Sequence, residues 1–360
     1  MKTSYDVVLH IPSLKGGGAE RVAVEIARYF VEHGKSTAFF IHDGELAYDL
    51  PVGIDVFVAR SAGHLQRVAE FRSLFTRLNV GVVVSFLPYA NLISLLAIVG
   101  CRRRPTLVIS EHLSYAGFRP AGLKERVKFA LLPYLYQLSD VIVAVSTGVA
   151  EELRHRLRGS AVRKIVVIHN PCYIPDARAS GLSRNSATRN VLAVGRLTAQ
   201  KGFDVLIKAF SAVKKDVENV RLVIVGEGPD RAKLEALIAR LNLTESVTLP
   251  GFTRNVADEY QGADLFVCSS RSEGFGNVIV EALSFGLPIV STACRYGPEE
   301  ILDGGRYGIL VPVDDDVELA DAIVSALSAP ADPEAQISRA RDFSLDAIGA
   351  QYAKVMGFTA

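Results

Sequence analysis

Cysteine is scarce in this 360-residue chain. Cys101, Cys172, Cys268 and Cys294 stand too far apart for a zinc site or a redox pair. As small buried hydrophobes they fit a reducing compartment, and a cytoplasmic location is predicted. Excess charge is missing too. The 40 Lys and Arg against 39 Asp and Glu leave a net +1, which argues against a dedicated nucleic-acid binder. Long apolar runs are absent. The most apolar stretch, Phe86 to Gly100, contains Pro88 and Asn91 and falls short of the ~20 residues that span a bilayer, so it reads as a buried helix. No apolar core follows Lys2, because Tyr5 to Ile11 reads as a strand, and no signal peptide is expected.

The length suits two α/β domains of about 170 residues each. Apolar strands at Val7–Ile11, Thr37–His42, Val80–Ser85, Leu107–Ser110 and Val141–Val145 alternate with helical patterns such as Val22, Ala23, Ile26, Ala27 and Phe30. The stretch from Pro171 to Asn190 has no periodicity and places a linker at 173–190 between domains 1–172 and 191–343. A second series follows at Val191–Val194, Leu222–Val225, Val247–Leu249, Leu265–Ser269, Ile289–Ser291 and Ile309–Val311. Near-continuous apolar strands indicate parallel sheets covered on both faces, with ligands at the carboxyl ends of the strands. Residues 344–360 read as a C-terminal helix that packs back on the first domain.

Glycine-rich loops occupy several strand ends. Lys15-Gly16-Gly17-Gly18 lies between a strand and a helix, where backbone N–H groups and the helix terminus favour an anion. A dinucleotide fingerprint with Asp43 as ribose acid is the competing reading of this loop. Arg21 stands where its third glycine belongs, and a second Rossmann-like half goes unexplained by it. Arg196 and Lys201 share the loop Gly195–Gly202 and suit a diphosphate, while Gly226-Glu227-Gly228-Pro229 ends the next strand. The strongest signal is Glu273 to Glu281. Gly274 and Gly276 free the backbone, Asn277 is expected as N-cap, and Val278 to Phe285 reads as a helix. Glu281 can accept hydrogen bonds from ribose hydroxyls and Glu273 from sugar hydroxyls. Buried carboxylates without cationic partners are costly, and a polyol ligand accounts for both. His112 ends a strand in Ser110-Glu111-His112; His10, at another strand end, is assigned to core packing. Asp314-Asp315-Asp316 precedes a helical pattern and reads as capping rather than metal binding.

Seven segments stand together in one order: Gly16 to Val22, Ser110-Glu111-His112, Asn170-Pro171, Gly195-Arg196-Leu197 with Lys201-Gly202, Gly226 to Pro229, Glu273 to Glu281, and Gly297-Pro298-Glu299-Glu300-Ile301. In these the chain resembles the family 4 retaining glycosyltransferases of the GT-B fold, two Rossmann-like domains facing each other across a cleft. The resemblance implies roles. Glu281 would hold the nucleotide ribose and Glu273 the donor sugar. Phe275, Gly276, Asn277 and Val278 would line the donor through the backbone. Arg196 and Lys201 would hold the diphosphate with the Gly17 and Gly18 amides, and His112 would lie near the reacting carbon. Gly226 and Phe252 are assigned to the nucleotide, the latter beside the base with Arg254. No cofactor or metal is expected.

From Cys101 to Lys128 seven basic residues (Arg102, Arg103, Arg104, Arg119, Lys124, Arg126, Lys128) face two acids, and Leu123, Val127, Ala130, Tyr134 and Leu138 line one helical face. A basic amphipathic helix reads as a contact with the inner face of the cytoplasmic membrane; the alternative is a solvated basic face over a core stripe. The expectation is transfer of a hexose or N-acetylhexosamine from a UDP-sugar to a lipid-linked glycan, with retention. A GDP-mannose-dependent enzyme of the same fold, a non-catalytic glycan-assembly partner and a sugar-nucleotide epimerase are the competing readings.

Overall fold

The computed structural model describes residues 2–112, 122, 130–172, 188–253, 255–330 and 332–358. Most of the expected linker, the basic residues Arg119, Lys124, Arg126 and Lys128, the apolar Leu123 and Val127, and Arg254 lie outside these. The chain divides into two compact units, residues 1–172 with 344–360, and residues 173–343.

The first unit carries β1 (Ser4–His10), β2 (Thr37–Ile41), β3 (Asp55–Val58), β4 (Asn79–Phe86), β5 (Thr106–Glu111), β6 (Val141–Ala144) and β7 (Ile165–Val167). All pair in parallel in the order β3-β2-β1-β4-β5-β6-β7. Their apolar runs are buried because helices cover the sheet. Phe86–Gly100 resolves into the strand end and the helix Pro88–Ile98, whose proline occupies the first turn, where no intrahelical N–H bond is lost. Two edge strands, β3 and β7, escape the sequence pattern. β3 is only half-buried and polar at Asp55, and β7 has three residues.

The helix Gly18–Glu32 buries two faces. Val22, Ala23, Ile26 and Phe30 belong to the core with the strands, and Tyr29 packs against Gly349 of the C-terminal helix Leu345–Val355. Ser344 caps that last helix, accepting a hydrogen bond from Ala347 N–H, and Ile348, Tyr352, Ala353 and Met356 complete the first unit's core.

The second unit carries β8 (Arg189–Val194), β9 (Val220–Val225), β10 (Val247–Gly251), β11 (Leu265–Cys268), β12 (Ile289–Thr292) and β13 (Ile309–Val311). They are again all parallel, in the order β10-β9-β8-β11-β12-β13. In each sheet the strand order reverses once, between β1 and β4 and between β8 and β11, and a crevice opens there at the carboxyl ends.

Candidate active site

The reversal in the second sheet sets the site. The loop after β8 carries Lys201 and the loop after β11 carries Glu273, so adjacent parallel strands bring two residues 72 positions apart into contact. Lys201 Nζ donates to Glu273 Oε1 at 2.6 Å, and Ser270 Oγ donates to the same oxygen at 2.6 Å. Both charged side chains are largely buried. Burial alone would push the Lys201 ammonium down, but Glu273 outweighs it and the pKa is raised, so the lysine stays charged. The expectation that Glu273 is a carboxylate without a cation is therefore corrected. Its partner is Lys201, and a polyol is not needed to explain its burial. An ammonium has three donors, so Lys201 retains capacity for a phosphate oxygen.

Behind this pair lies a polar floor. Thr292 Oγ1 donates to the Ser270 carbonyl at 2.5 Å, and burial raises the pKa of the Cys268 and Cys294 thiols. From Glu273 the chain runs through Gly274 and Phe275 into the helix Asn277–Ser284. The cap of that helix is Gly276 rather than Asn277. Its φ of 106° is accessible to glycine without a steric penalty, and Asn277 is the first helical residue. Phe275 turns inward, 2% exposed and edge-to-face with Phe343 at 5.5 Å, so only its backbone can serve a ligand. One turn into the helix Glu281 accepts a hydrogen bond from Tyr260 Oη at 2.9 Å, and the Val278 carbonyl accepts one from the same hydroxyl at 3.4 Å. Tyr260 orients the carboxylate, a role absent from the sequence reading.

Gly226 sits where β9 ends, with φ 144°. A Cβ there would lie 1.9 Å from the Gly195 carbonyl oxygen, so the loops after β8 and β9 touch only because this residue is glycine. Gly226 N–H donates to the Gly251 carbonyl at 2.9 Å, which places Phe252, 65% exposed, beside the same loops. Arg196 is exposed on the loop after β8. Of the expected donor residues, Lys201 and Glu273 are thus in direct contact, Gly276, Asn277, Val278 and Glu281 follow on the helix that leaves the same loop, and Gly226 and Phe252 stand at the ends of β9 and β10.

In the first unit, Gly17 caps the Gly18–Glu32 helix. The Glu20 carboxylate turns back and accepts from Gly16 N–H at 2.8 Å, Gly17 N–H at 2.9 Å and Ser13 Oγ at 2.5 Å. The Gly17 amide, expected for a diphosphate, is therefore held by an internal carboxylate. Asp43, the candidate ribose acid of a dinucleotide site, pairs with Lys15 at 2.7 Å. His112 follows β5 and is 8% exposed, with Nε2 2.9 Å from Ser110 Oγ, which lies 3.1 Å from Tyr352 Oη. Burial pushes its pKa down to about 3, so the ring is neutral. Glu111 is held inward by Asn91 at 2.8 Å and by the Tyr136 hydroxyl. His10 is fully buried between Ser94 at 2.7 Å and His42 at 2.9 Å, as core packing requires. Asp315 caps the helix Asp316–Ser328.

Residues 179–343 match the family described as glycosyl transferases group 1, and residues 16–172 match glycosyltransferase family 4. The chain belongs to the family 4-type glycosyltransferases. Among similar curated proteins of this kind is the N-acetylgalactosamine-N,N'-diacetylbacillosaminyl-diphospho-undecaprenol 4-alpha-N-acetylgalactosaminyltransferase of Campylobacter jejuni, 28% identical over 89% of each chain. An amylovoran biosynthesis glycosyltransferase of Erwinia amylovora is 26% identical over 84% of this chain and 85% of its own. Among solved structures, the lipopolysaccharide outer core galactosyltransferase WaaB superposes with a TM-score of 0.77 at 18% identity over 98% of each chain. The Anabaena protein HepE, in complex with UDP and glucose, gives 0.77 at 20% over 98% and 99%. Two Rossmann-like parallel-sheet units make this the GT-B fold.

Proposed function

We propose that this glycosyltransferase moves a hexose or N-acetylhexosamine from a UDP-sugar to a hydroxyl of a lipid-linked glycan, with retention of configuration and without a metal. The observation that carries the reading is the contact of Lys201 with Glu273 at the second sheet's reversal, with Glu281 on the helix that follows the same loop. Lys201 and Arg196 offset the diphosphate charge, and Glu281, oriented by Tyr260, accepts from ribose hydroxyls. Glu273 receives two hydrogen bonds on one oxygen from Lys201 and Ser270, which lowers its nucleophilicity and suits it to binding sugar hydroxyls. The acceptor oxygen then forms its bond to the anomeric carbon on the face from which the diphosphate leaves. The carbon–phosphate oxygen bond breaks, and a leaving phosphate oxygen takes the acceptor's proton. UDP in the HepE complex and the diphospho-undecaprenol substrate in the Campylobacter relative's name support the choice of donor and acceptor.

The same reading places the protein at the membrane face. Leu131, Tyr134 and Leu138 are exposed at helical spacing. Arg104 pairs with Asp140 at 2.5 Å and fastens exposed Arg102 and Arg103 beside the end of that segment. Among the described residues no helix is long and apolar enough to cross a membrane.

Thermal shift with UDP, GDP and ADP tests the donor assignment. UDP is expected to raise Tm, and Glu281→Ala to reduce UDP affinity by about tenfold or more, as loss of a charged hydrogen-bonding partner does. Stabilisation by GDP alone would move the reading to a mannosyltransferase-type donor, and an unchanged UDP affinity in Glu281→Ala would overturn the site.

A further inference from the structure

Arg271 stands two residues before the Glu273–Glu281 motif, and its guanidinium binds partners other than the Lys201–Glu273 pair. Its guanidinium uses four N–H groups on three partners from two other loops. Nη1 and Nη2 donate to the two carboxylate oxygens of Asp204 at 2.9 and 2.8 Å. Nη1 also donates to the Ala199 carbonyl at 2.5 Å, and Nε to Asp314 Oδ1 at 2.6 Å. Asp204 stands in the first turn of the helix Phe203–Asp216, which follows the β8 loop, and Asp314 follows β13. The backbone adds further bonds between the same loops. Arg271 N–H donates to the Gln200 carbonyl at 2.7 Å, Gln200 Nε2 to the Ser272 carbonyl at 2.7 Å, and Ser269 Oγ to the Lys201 carbonyl at 2.9 Å.

These bonds bracket Lys201 on both sides, at Ala199 and Gln200 before it and at Asp204 after it. On the Glu273 side they hold the chain that leads into it, from Ser269 to Ser272. The loops that carry the ammonium and the carboxylate are therefore joined by this clamp as well as by their own ion pair. A lysine on a flexible stem needs such support, because a side chain displaced by about 1 Å loses much of its effect on a bound anion. The fork geometry explains why arginine stands here. Only a planar guanidinium satisfies a bidentate carboxylate, a second carboxylate and a carbonyl together.

We propose that Arg271 is a positioning residue for nucleotide-sugar binding, joining the loops after β8, β11 and β13 so that Lys201 and Glu273 hold their donor-ready geometry. This rests on the donor reading given above. The clamp itself touches no donor atom.

Titration of the full chain with UDP by calorimetry tests it, with Arg271→Ala, Arg271→Lys and Asp204→Asn compared with wild type and with Glu281→Ala. Arg271→Ala is expected to weaken UDP by about tenfold, Arg271→Lys by less, and millimolar guanidinium to restore part of the affinity of the alanine variant. A merely structural residue would lower Tm without rescue of affinity by guanidinium. If Arg271→Ala fails to fold, Arg271→Lys and Asp204→Asn carry the test, and wild-type UDP affinity in both overturns the proposal. Loss in Glu281→Ala with no loss in the Arg271 and Asp204 variants defeats the clamp alone. Wild-type affinity in Glu281→Ala defeats the donor reading instead.

Discussion

Burial keeps His112 neutral, with its pKa pushed down to about 3, and the same cause holds the fully buried His10 well below its ordinary value. His42, against His10, is pushed down to about 4 by burial and by Arg67. A neutral imidazole suits His112 to a polar contact beside a sugar and not to proton donation at neutral pH. The sign of the stability effect follows from linkage. In the unfolded chain these rings take up protons near pH 6.5, whereas in the fold His42 and His112 do not until about pH 4 and 3 and His10 is likewise held well below its ordinary value, so acid favours unfolding below pH 6.5. Each fully buried ring contributes up to about 1.4 kcal/mol per pH unit below pH 6.5. Urea unfolding of the first unit at pH 7 and 5.5 is expected to show this loss, and His10→Gln to give a smaller difference between the two pH values. Equal differences in both proteins would refute the assignment to His10. The neutral histidines were not legible in the sequence, because His10 and His112 both simply end strands there. What separates them is where their strands lie and what covers them.

Among the elements, the loops at the carboxyl ends of β8, β9 and β11 decide the geometry. Close approach of the first two depends on Gly226. Gly226→Ala would drive a Cβ into the Gly195 carbonyl, and the strain is expected to cost about 2 kcal/mol or more and to weaken UDP binding. A Tm and a UDP affinity equal to wild type would contradict that. Much of this was legible beforehand, since glycines at strand ends and a helix starting near Asn277 follow from local chemistry. The cation beside Glu273 was not read, although Lys201 and Glu273 were each placed at a strand's carboxyl end. Pairing them requires knowing that β8 and β11 are neighbours, which local pattern does not encode. Arg271 was hidden for the same reason, with Asp204 and Asp314 lying 67 and 43 residues away. The edge strands β3 and β7 lacked the apolar run that marks their buried neighbours.

On the scale of the whole molecule, near-neutral net charge conceals a local surface. Exposed Leu131, Tyr134 and Leu138 beside Arg102 and Arg103 are expected to bind vesicles containing phosphatidylglycerol more than neutral ones, each cation near the surface contributing about 1 kcal/mol. Co-sedimentation is the measurement, and Arg102→Glu with Arg103→Glu should reduce it severalfold. Retention of full binding by the double variant would remove this surface from the membrane reading.

The C-terminal helix Leu345–Val355 has a consequence for synthesis. The second unit is contiguous in sequence, whereas the first needs Ile348, Tyr352 and Met356 to close its core over Tyr29 and Phe30. On the ribosome, residues 173–343 can therefore reach their native contacts before the half translated ahead of them is finished. The usual vectorial order, first-translated domain first, is then expected to be inverted for completion of the two cores. Until the helix Leu345–Val355 emerges, the nascent first unit presents an open apolar seam where Ile348, Tyr352 and Met356 will pack.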